Sequence, residues 1–153
     1  MLIRAGEGTA LEFKSTLRWN VRDGKNDEQM TYACLKTIAA FLNTSGGSLL
    51  IGVADDGTVV GLEQDGFATS DRFLQHLSNK ILSALGEVAA SNIESRVHEL
   101  DGLSVCEVVC RSSKVPIYLR SKSEEEFYVR TGPRSDRLSP SKLVEYVRTR
   151  FAV

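Results

Sequence analysis

The chain has 153 residues, of which 42% are hydrophobic and 25% are charged, and its formal net charge is −1. This length suits one domain with its own core, and the near-neutral charge excludes a general attraction to polyanions, so any nucleic-acid binding would need a local basic patch. There is no run of eighteen apolar residues, and residues 1–6 are too short and too weakly apolar for a signal peptide. We therefore expect a cytoplasmic protein that does not associate with membranes.

The first half of the chain predicts a strand, a loop and a helix. Residues 11–14 alternate apolar and charged side chains, which gives a strand one apolar face and one ionic face. Residues 19–27 are typical of a polar loop. Residues 28–43 carry apolar side chains at helical spacing, with Asp27 as the N-cap, and predict a helix that packs under a sheet.

A buried strand and an acidic turn follow this helix. The helix is expected to close at 43–45, and Gly46 and Gly47 would then allow positive φ. Residues 48–53 are continuously apolar enough for a buried strand. The sequence Asp-Asp-Gly at 55–57 predicts a tight turn into 58–62.

The second half predicts two helices with strands between them. The first helix is expected to be capped by Thr69 or Ser70, to run to about residue 85 and to stop at Gly86. A hairpin is predicted to join 93–100 to 103–110 through Asp101-Gly102. Further strands are predicted at 115–119 and 126–130. A final helix opens at Ser139-Pro140 and is expected to turn four side chains inward: Leu143, Val144, Val147 and Phe151.

This order of elements predicts an α+β fold with a mixed, largely antiparallel sheet and about three helices in one lobe. A doubly wound parallel sheet is disfavoured because the later strands are not each followed by a helix. An odd number of cysteines, Cys34, Cys106 and Cys110, argues against a disulfide framework and fits a reducing compartment. Cys106 and Cys110 share a strand face near His98 but lack a second ligand pair, so buried thiols are favoured over zinc.

Four sequence motifs resemble those of the Schlafen-type AlbA_2 domain. They are Glu-x4-Glu-Phe-Lys at 7–14, Phe-x-Asn-Thr-x-Gly-Gly-x-Leu-x-Ile-Gly-Val-x-Asp-x-Gly at 41–57, Glu-Phe-Tyr-Val-Arg-Thr-Gly at 126–132, and Leu-Ser-Pro-Ser at 138–141. The resemblance covers nearly the whole chain. It implies a domain often labelled as DNA-binding, in a family that also contains Schlafen RNases, which cut tRNA and rRNA with three metal-binding acids.

The resemblance maps those three acids onto Glu7, Glu12 and Asp55, with Mg²⁺ or Mn²⁺ as the metal. Oxygen ligands suit these hard cations, and Lys14 on the face of Glu12 would hold the scissile phosphate. Other interpretations stay open: Glu12 and Lys14 as an ion pair on a solvated strand face, Asp55 as a turn residue, and Glu7 as part of a loose chain end. The Cys/His set of the zinc site in eukaryotic Schlafens is missing, and no Walker motif supports ATP.

Two further groups of residues are candidates for contacting nucleic acid. Backbone and side-chain groups of Asn43, Thr44, Gly46 and Gly47 could meet a phosphate, although helix termination and close packing explain the glycines as well. Residues 131–137 are predicted to form a loop across a groove from the acids. Arg130, Arg134 and Arg137 would bind phosphates there, and Trp19 and Tyr128 would be either base-stacking or core residues.

The sequence therefore predicts a nucleic-acid-binding domain, with metal-dependent endoribonuclease activity as the sharper hypothesis. The alternatives are a non-catalytic DNA- or RNA-binding module of a larger regulator, and an assembly domain that completes a groove by homodimerising. The choice between RNA and DNA stays open because recognition of the 2′-hydroxyl leaves no sequence signature. It also stays open whether Met1 and Val153 are natural ends.

Overall fold

The computed structural model describes residues 2–152. In this range four α-helices and ten short strands are present, and no helix is long and apolar enough to cross a membrane. The helices are α1 (Glu28–Asn43), α2 (Ser70–Leu85), α3 (Glu87–Ser91) and α4 (Pro140–Arg150), with 3₁₀ turns at Leu2–Ala5 and Glu63–Asp65. The strands are β1 (Leu11–Lys14), β2 (Trp19–Asn20), β3 (Lys25–Asn26), β4 (Gly47–Ile51), β5 (Ile93–Leu100), β6 (Leu103–Cys110), β7 (Leu119–Ser121), β8 (Glu124–Glu126), β9 (Tyr128–Thr131) and β10 (Arg134–Arg137).

The central sheet has four strands in the order β1-β4-β6-β5. β1 and β4 are parallel, and the other neighbours are antiparallel. The remaining strands form three separate two-stranded ribbons, β2–β3, β7–β8 and β9–β10. The predicted α+β class with a mixed, largely antiparallel sheet is confirmed.

The two faces of the sheet bury different apolar clusters. The larger cluster joins α1, α2 and the sheet around residues such as Ile38, Leu49 and Leu77, each fully buried. The smaller cluster covers the opposite face. Its buried members are Leu11, Phe13, Leu50, Val53 and Val105. The alternation predicted for β1 therefore holds, with the side chains of Glu12 and Lys14 on the α1 side of the sheet.

Local signals placed the long helices and the main hairpin correctly. Asp27 caps α1 by accepting a hydrogen bond from the Gln29 N–H at 2.9 Å. Thr69 caps α2 in the same way, and the helix ends at Gly86 as predicted. In the hairpin β5–β6, Asp101 and Gly102 both adopt positive φ, at 52° and 79°, as a two-residue turn of this kind requires.

The strand predicted at 115–119 is wrong, because a side chain replaces the strand partner. The amide of Asn43 donates to the carbonyl of Ile117 at 2.8 Å and accepts from the N–H of Ile117, also at 2.8 Å. Pro116 also lacks an N–H for a ladder. Strand structure begins only at Leu119, in β7.

Two predicted loops contain paired strands. Residues 131–137 form the turn and second strand of the hairpin β9–β10, and the polar segment 19–27 contains the small ribbon β2–β3. Both segments lack the apolar alternation on which strand prediction depends, so the pattern predicted loops.

The final helix α4 forms as predicted, but it turns fewer side chains inward. Val144 is 59% exposed, and no residue of α4 is buried. Leu143, Val147 and Phe151 are partly buried, and polar contacts also hold the helix. The Tyr146 hydroxyl donates to the carbonyl of Asn43 at 2.6 Å, and the Arg150 guanidinium donates to the carbonyls of Thr44 and Ser113.

The three cysteines are buried free thiols, as predicted. Burial raises the pKa of each, Cys34, Cys106 and Cys110, to about 12. At neutral pH these thiols are therefore protonated, and they serve as packing groups in the core.

Candidate functional site

Glu12 lies between two cations at the edge of the sheet. One carboxylate oxygen is 2.9 Å from Nη2 of Arg130, and the other is 3.7 Å from Nζ of Lys14. The Glu12 side chain is 12% exposed, that of Arg130 is fully buried, and that of Lys14 is 30% exposed. A buried carboxylate needs such a counter-charge, and Lys14 is the member of the group that still reaches solvent.

Arg130 is bound on every side by protein groups. Its guanidinium donates to the carbonyl of Gly8 at 2.7 Å, to that of Leu11 at 3.2 Å and to the hydroxyl of Ser135 at 3.1 Å. It also lies over the ring of Phe41, 4.8 Å from the centroid. Arg130 was predicted to bind phosphate, but in this position it ties β9 to β1 and orients the carboxylate of Glu12.

A hydrogen bond to the backbone of β1 holds Glu7 near Glu12. The N–H of Phe13 donates to its carboxylate at 3.0 Å, which orders Glu7 rather than leaving it in a loose chain end. The pKa of Glu7 is raised, mainly because its carboxyl group is partly withdrawn from water, and further by repulsion from Glu12 and Asp55. The hydrogen bond from Phe13 acts in the opposite direction.

Asp55 lies in the exposed turn after β4, and its negative charge contributes to raising the pKa of Glu7. Its neighbour Asp56 has the turn role expected of it, accepting from the N–H of Thr58 at 2.9 Å. We call Glu7, Glu12 and Asp55 the acidic cluster. Within residues 2–152, no three acidic, histidine or cysteine side chains are arranged to hold a metal ion. The cluster is thus close enough for its charges to interact but is not a closed ligand set.

Asn43 and Thr44 hold the structure together at the end of α1. Asn43 is fully buried and, besides Ile117, its amide donates to the carbonyl of Tyr128 at 3.0 Å. The hydroxyl of Thr44 accepts from the N–H of Arg130 at 2.9 Å. Their predicted contact with phosphate would require these internal bonds to break.

The two glycines after α1 are required by packing. Gly46 has φ of +81°, and a Cβ there would lie 2.7 Å from the carbonyl oxygen of Cys110. Gly47 does not adopt positive φ, contrary to prediction, but a Cβ there would lie 2.6 Å from the Phe41 ring. The N–H of Gly46 already donates to the carbonyl of Phe41. These observations favour the alternative of helix termination and close packing over phosphate binding.

The hairpin β9–β10 does not present its three arginines together. Arg137 lies opposite Tyr128 and Ser135 lies opposite Arg130, so these side chains share one face, whereas Arg134 points to the other. Arg137 pairs with Glu126 at 3.2 Å, and Arg134 is 71% exposed. Arg134 and Arg137 remain predicted phosphate contacts, but they would act on different faces.

A polar cluster beside Arg137 was missed by sequence reasoning. The hydroxyls of Tyr32 and Tyr128 bond to each other, and that of Tyr32 also bonds to the carboxylate of Glu126. Burial raises the pKa of both tyrosines. Nζ of Lys36 lies 5.9 Å from the centre of the Tyr128 ring. Because Tyr128 is only 6% exposed, it is a core residue and not a free stacking platform.

Asp65 is a second residue that sequence reasoning missed, and it shapes the loop after β1. Its carboxylate accepts from the backbone N–H groups of Leu17, Arg18 and Trp19, at 2.8, 2.7 and 2.9 Å. Asp65 is 2% exposed. These N–H groups are far from Asp65 in the sequence, so no local pattern predicts the contact. The one available signal is the position of Asp65 in a short polar stretch between two predicted elements.

Comparisons with known proteins agree with this architecture. The sequence matches the family described as Schlafen, AlbA_2 over residues 7–139, which confirms the resemblance drawn from the motifs. No curated protein matches the chain.

Solved structures share the fold. The crystal structure of the DIP2311 protein from Corynebacterium diphtheriae is similar with a TM-score of 0.66 and 18% identity, and the match covers 95% of this chain and 25% of that one. This chain therefore spans about a quarter of the length of that relative. The solution structure of the N-terminal domain of a RecG-related protein from Nitrosomonas europaea, named for its relation to an ATP-dependent DNA helicase, gives a TM-score of 0.50 and 21% identity over 85% of this chain and 81% of that one.

Proposed function

Because the chain belongs to the Schlafen AlbA_2 family, we propose that it is a nucleic-acid-binding domain whose site is the acidic cluster together with Lys14. The observation that carries the proposal is the placement of Glu12, which Arg130 holds at 2.9 Å beside a partly exposed lysine and a second glutamate. Fixed acids next to a cation suit a phosphate and its counter-ion. The helicase-related name of the Nitrosomonas europaea neighbour supports the same class of ligand.

In its sharper form the proposal is metal-dependent cleavage of RNA, with tRNA or rRNA as substrate. Glu7, Glu12 and Asp55 would hold Mg²⁺ or Mn²⁺, whose preference for oxygen ligands fits this donor set. Partial burial is the main cause of the raised pKa of Glu7, and a cation would relieve the repulsion from Glu12 and Asp55 that adds to it. When bound, the ion would offset phosphate charge and activate water. Lys14 would hold the phosphate, and Arg130 would keep Glu12 oriented.

One specific observation favours the alternative of a non-catalytic binding module. Both oxygens of Glu12 are already within ion-pair distance of Arg130 and Lys14, and the described residues contain no closed three-acid group. A carboxylate engaged in this way is a weaker metal ligand than a free one. Under this alternative the acidic cluster only shapes the groove, and the domain serves as part of a larger protein.

The test compares binding and cleavage of labelled tRNA and labelled single-stranded DNA, with and without Mg²⁺ or Mn²⁺. The decisive pair of variants is Asp55→Asn and Asp56→Asn, because both aspartates are exposed in the same turn and each change removes one charge. Loss of cleavage in the first variant alone would establish the nuclease and exclude a general charge effect. Asp55 is preferred to Glu12, whose removal would also leave buried Arg130 without its counter-charge.

Lys14→Gln tests the binding step separately. We expect weaker binding of either nucleic acid, because the variant loses a partly exposed cation beside the acidic cluster. Binding without cleavage in the parent would select the non-catalytic module. A parent chain that neither binds nor cuts the two nucleic acids would refute the proposal.

A further inference from the structure

The edge strand β5 is open on its outer side. It has eight residues and pairs only with β6 among the described residues. The N–H of Arg111 donates to the carbonyl of Asn92 at 2.9 Å, which continues the β5–β6 ladder by one pair. This bond shows which residues of β5 direct their backbone groups toward β6. In an antiparallel strand, successive residues direct their backbone N–H and C=O groups to opposite sides. Glu94 and Arg96 therefore bond to β6, and the residues that alternate with them direct these groups outward, away from the sheet.

The outward-bonding residues in the first part of the strand are Ile93, Ser95 and Val97. Ile93 and Val97 are partly buried and pack against the large apolar cluster, with Ser95 between them on the same face. The other face carries Glu94 and Arg96, which pair at 2.9 Å and are 60% and 51% exposed. Charges commonly protect free sheet edges against association. Here, however, one charge of each sign lies two residues from the other, which makes the edge complementary to itself.

We propose that β5 pairs antiparallel with β5 of a second copy of this chain, with the two-fold axis at Ser95. In this register Ser95 lies opposite Ser95 of the second copy, and Ile93 of each copy lies opposite Val97 of the other. Each of these three pairs exchanges two backbone hydrogen bonds, about six in all. On the other face, Glu94 of each copy lies directly opposite Arg96 of its partner. These are the closely spaced, non-hydrogen-bonded positions, where side-chain pairs interact most strongly.

Neighbouring registers lack this complementarity. An axis at Arg96 would place the two Arg96 side chains against each other. An axis at Val97 would place Arg96 opposite His98 and Glu94 opposite Leu100, which removes both unlike-charge pairs. The charge pattern therefore selects the axis at Ser95, and it selects a second copy as the occupant rather than an arbitrary strand.

A small cavity beside the strand adds surface that a partner would cover. It has a volume of about 150 Å³ and is lined by residues of α2, α3 and β5. These residues are Leu74, Ser78, Ile81, Ala90, Ile93 and Ser95. In the Ser95-centred pair, Val97 of the second copy lies opposite Ile93 at the edge of this cavity. β1 is at the other edge of the sheet, so the interface leaves the acidic cluster uncovered and does not depend on its function.

Charge reversal and its repair test the pairing. Light scattering and sedimentation of the parent chain, from about 1 µM to about 1 mM, should show a concentration-dependent dimer. Glu94→Arg alone and Arg96→Glu alone should each weaken dimerisation on the order of tenfold or more, because two attractive pairs become two repulsive pairs. The double variant Glu94→Arg/Arg96→Glu should restore the dimer, and a mixture of the two single variants should form a heterodimer. Glu145→Arg, an exposed change on α4, is the matched control and should have no effect.

Hydrogen exchange locates the contact on the strand. The amides of Ile93, Ser95 and Val97 should become protected as the concentration rises, while those of Glu94 and Arg96, already bonded to β6, should be protected throughout. The proposal would be overturned by a parent chain that stays monomeric up to the highest concentration. It would also be overturned by a dimer that both single reversals leave unchanged, or by outward amides that exchange equally fast in dilute and concentrated samples.

Discussion

Replacing Arg130 by methionine should destabilise the protein strongly. The side chain is fully buried, bonds to the carbonyls of Gly8 and Leu11, and neutralises Glu12 at 2.9 Å. Breaking a buried ion pair by removing one partner costs about 3–5 kcal/mol, because the other charge stays buried without compensation. Since domains of this size are stabilised by only about 5–15 kcal/mol, Arg130→Met should lose a large part of the total free energy of unfolding.

Urea unfolding followed by circular dichroism measures this change. The matched control is Arg134→Met, which removes an arginine of the same hairpin that is 71% exposed and should change stability by no more than about 0.5 kcal/mol. Adding Glu12→Gln to Arg130→Met should recover part of the loss, since a neutral amide needs no counter-charge. The reasoning fails if Arg130→Met is as mild as Arg134→Met, or if the added change makes the variant still less stable.

Three further changes probe the end of α1 and the acidic cluster. Asn43→Ala leaves backbone groups of Ile117 and Tyr128 without their partners and should lower the free energy of unfolding in urea by about 3 kcal/mol. A loss below about 1 kcal/mol would show that water replaces the amide. Gly46→Ala should be more damaging than Gly132→Ala, since both glycines have positive φ but only the first would place a Cβ 2.7 Å from a carbonyl oxygen, and equal melting temperatures would contradict this. Glu7→Gln should become more stable relative to the parent as pH rises from acid to neutral. A raised pKa in the folded state means that the parent loses stability as pH rises through that pKa, and the amide does not titrate. Parallel stability–pH curves for parent and variant would argue against it.

The elements that sequence predicted well are those specified locally. Asp27 is next to the helix that it caps, and Asp101-Gly102 lies inside the hairpin that it turns, so each signal lies within a few residues of its effect. The motifs likewise placed Glu7 and Glu12 near each other, because both belong to one short segment.

The partners that sequence could not predict are far apart along the chain. Asn43 replaces a strand partner for Ile117, and Asp65 binds the loop after β1. Arg130 reaches Glu12 through the fold, not through spacing. The same polar residue types are common in surface loops, so the sequence does not distinguish these roles. Only the tertiary structure shows whether such a side chain is buried and hydrogen-bonded or exposed to solvent.

This separation changes how the basic residues bear on function. Arg130 is fully engaged inside the protein, Arg150 donates to the carbonyls of Thr44 and Ser113, and Arg111 donates to the carbonyl of Ser91. Among the cations near the acidic cluster, Lys14 keeps a partly exposed ammonium group. In a chain of net charge −1, these three arginines are committed to structure and are therefore not free to bind phosphates. Since the salt dependence of binding scales with the number of phosphates neutralised, the proposed site should bind with a shallow salt dependence, and its selectivity must come from the acids and their geometry rather than from charge alone.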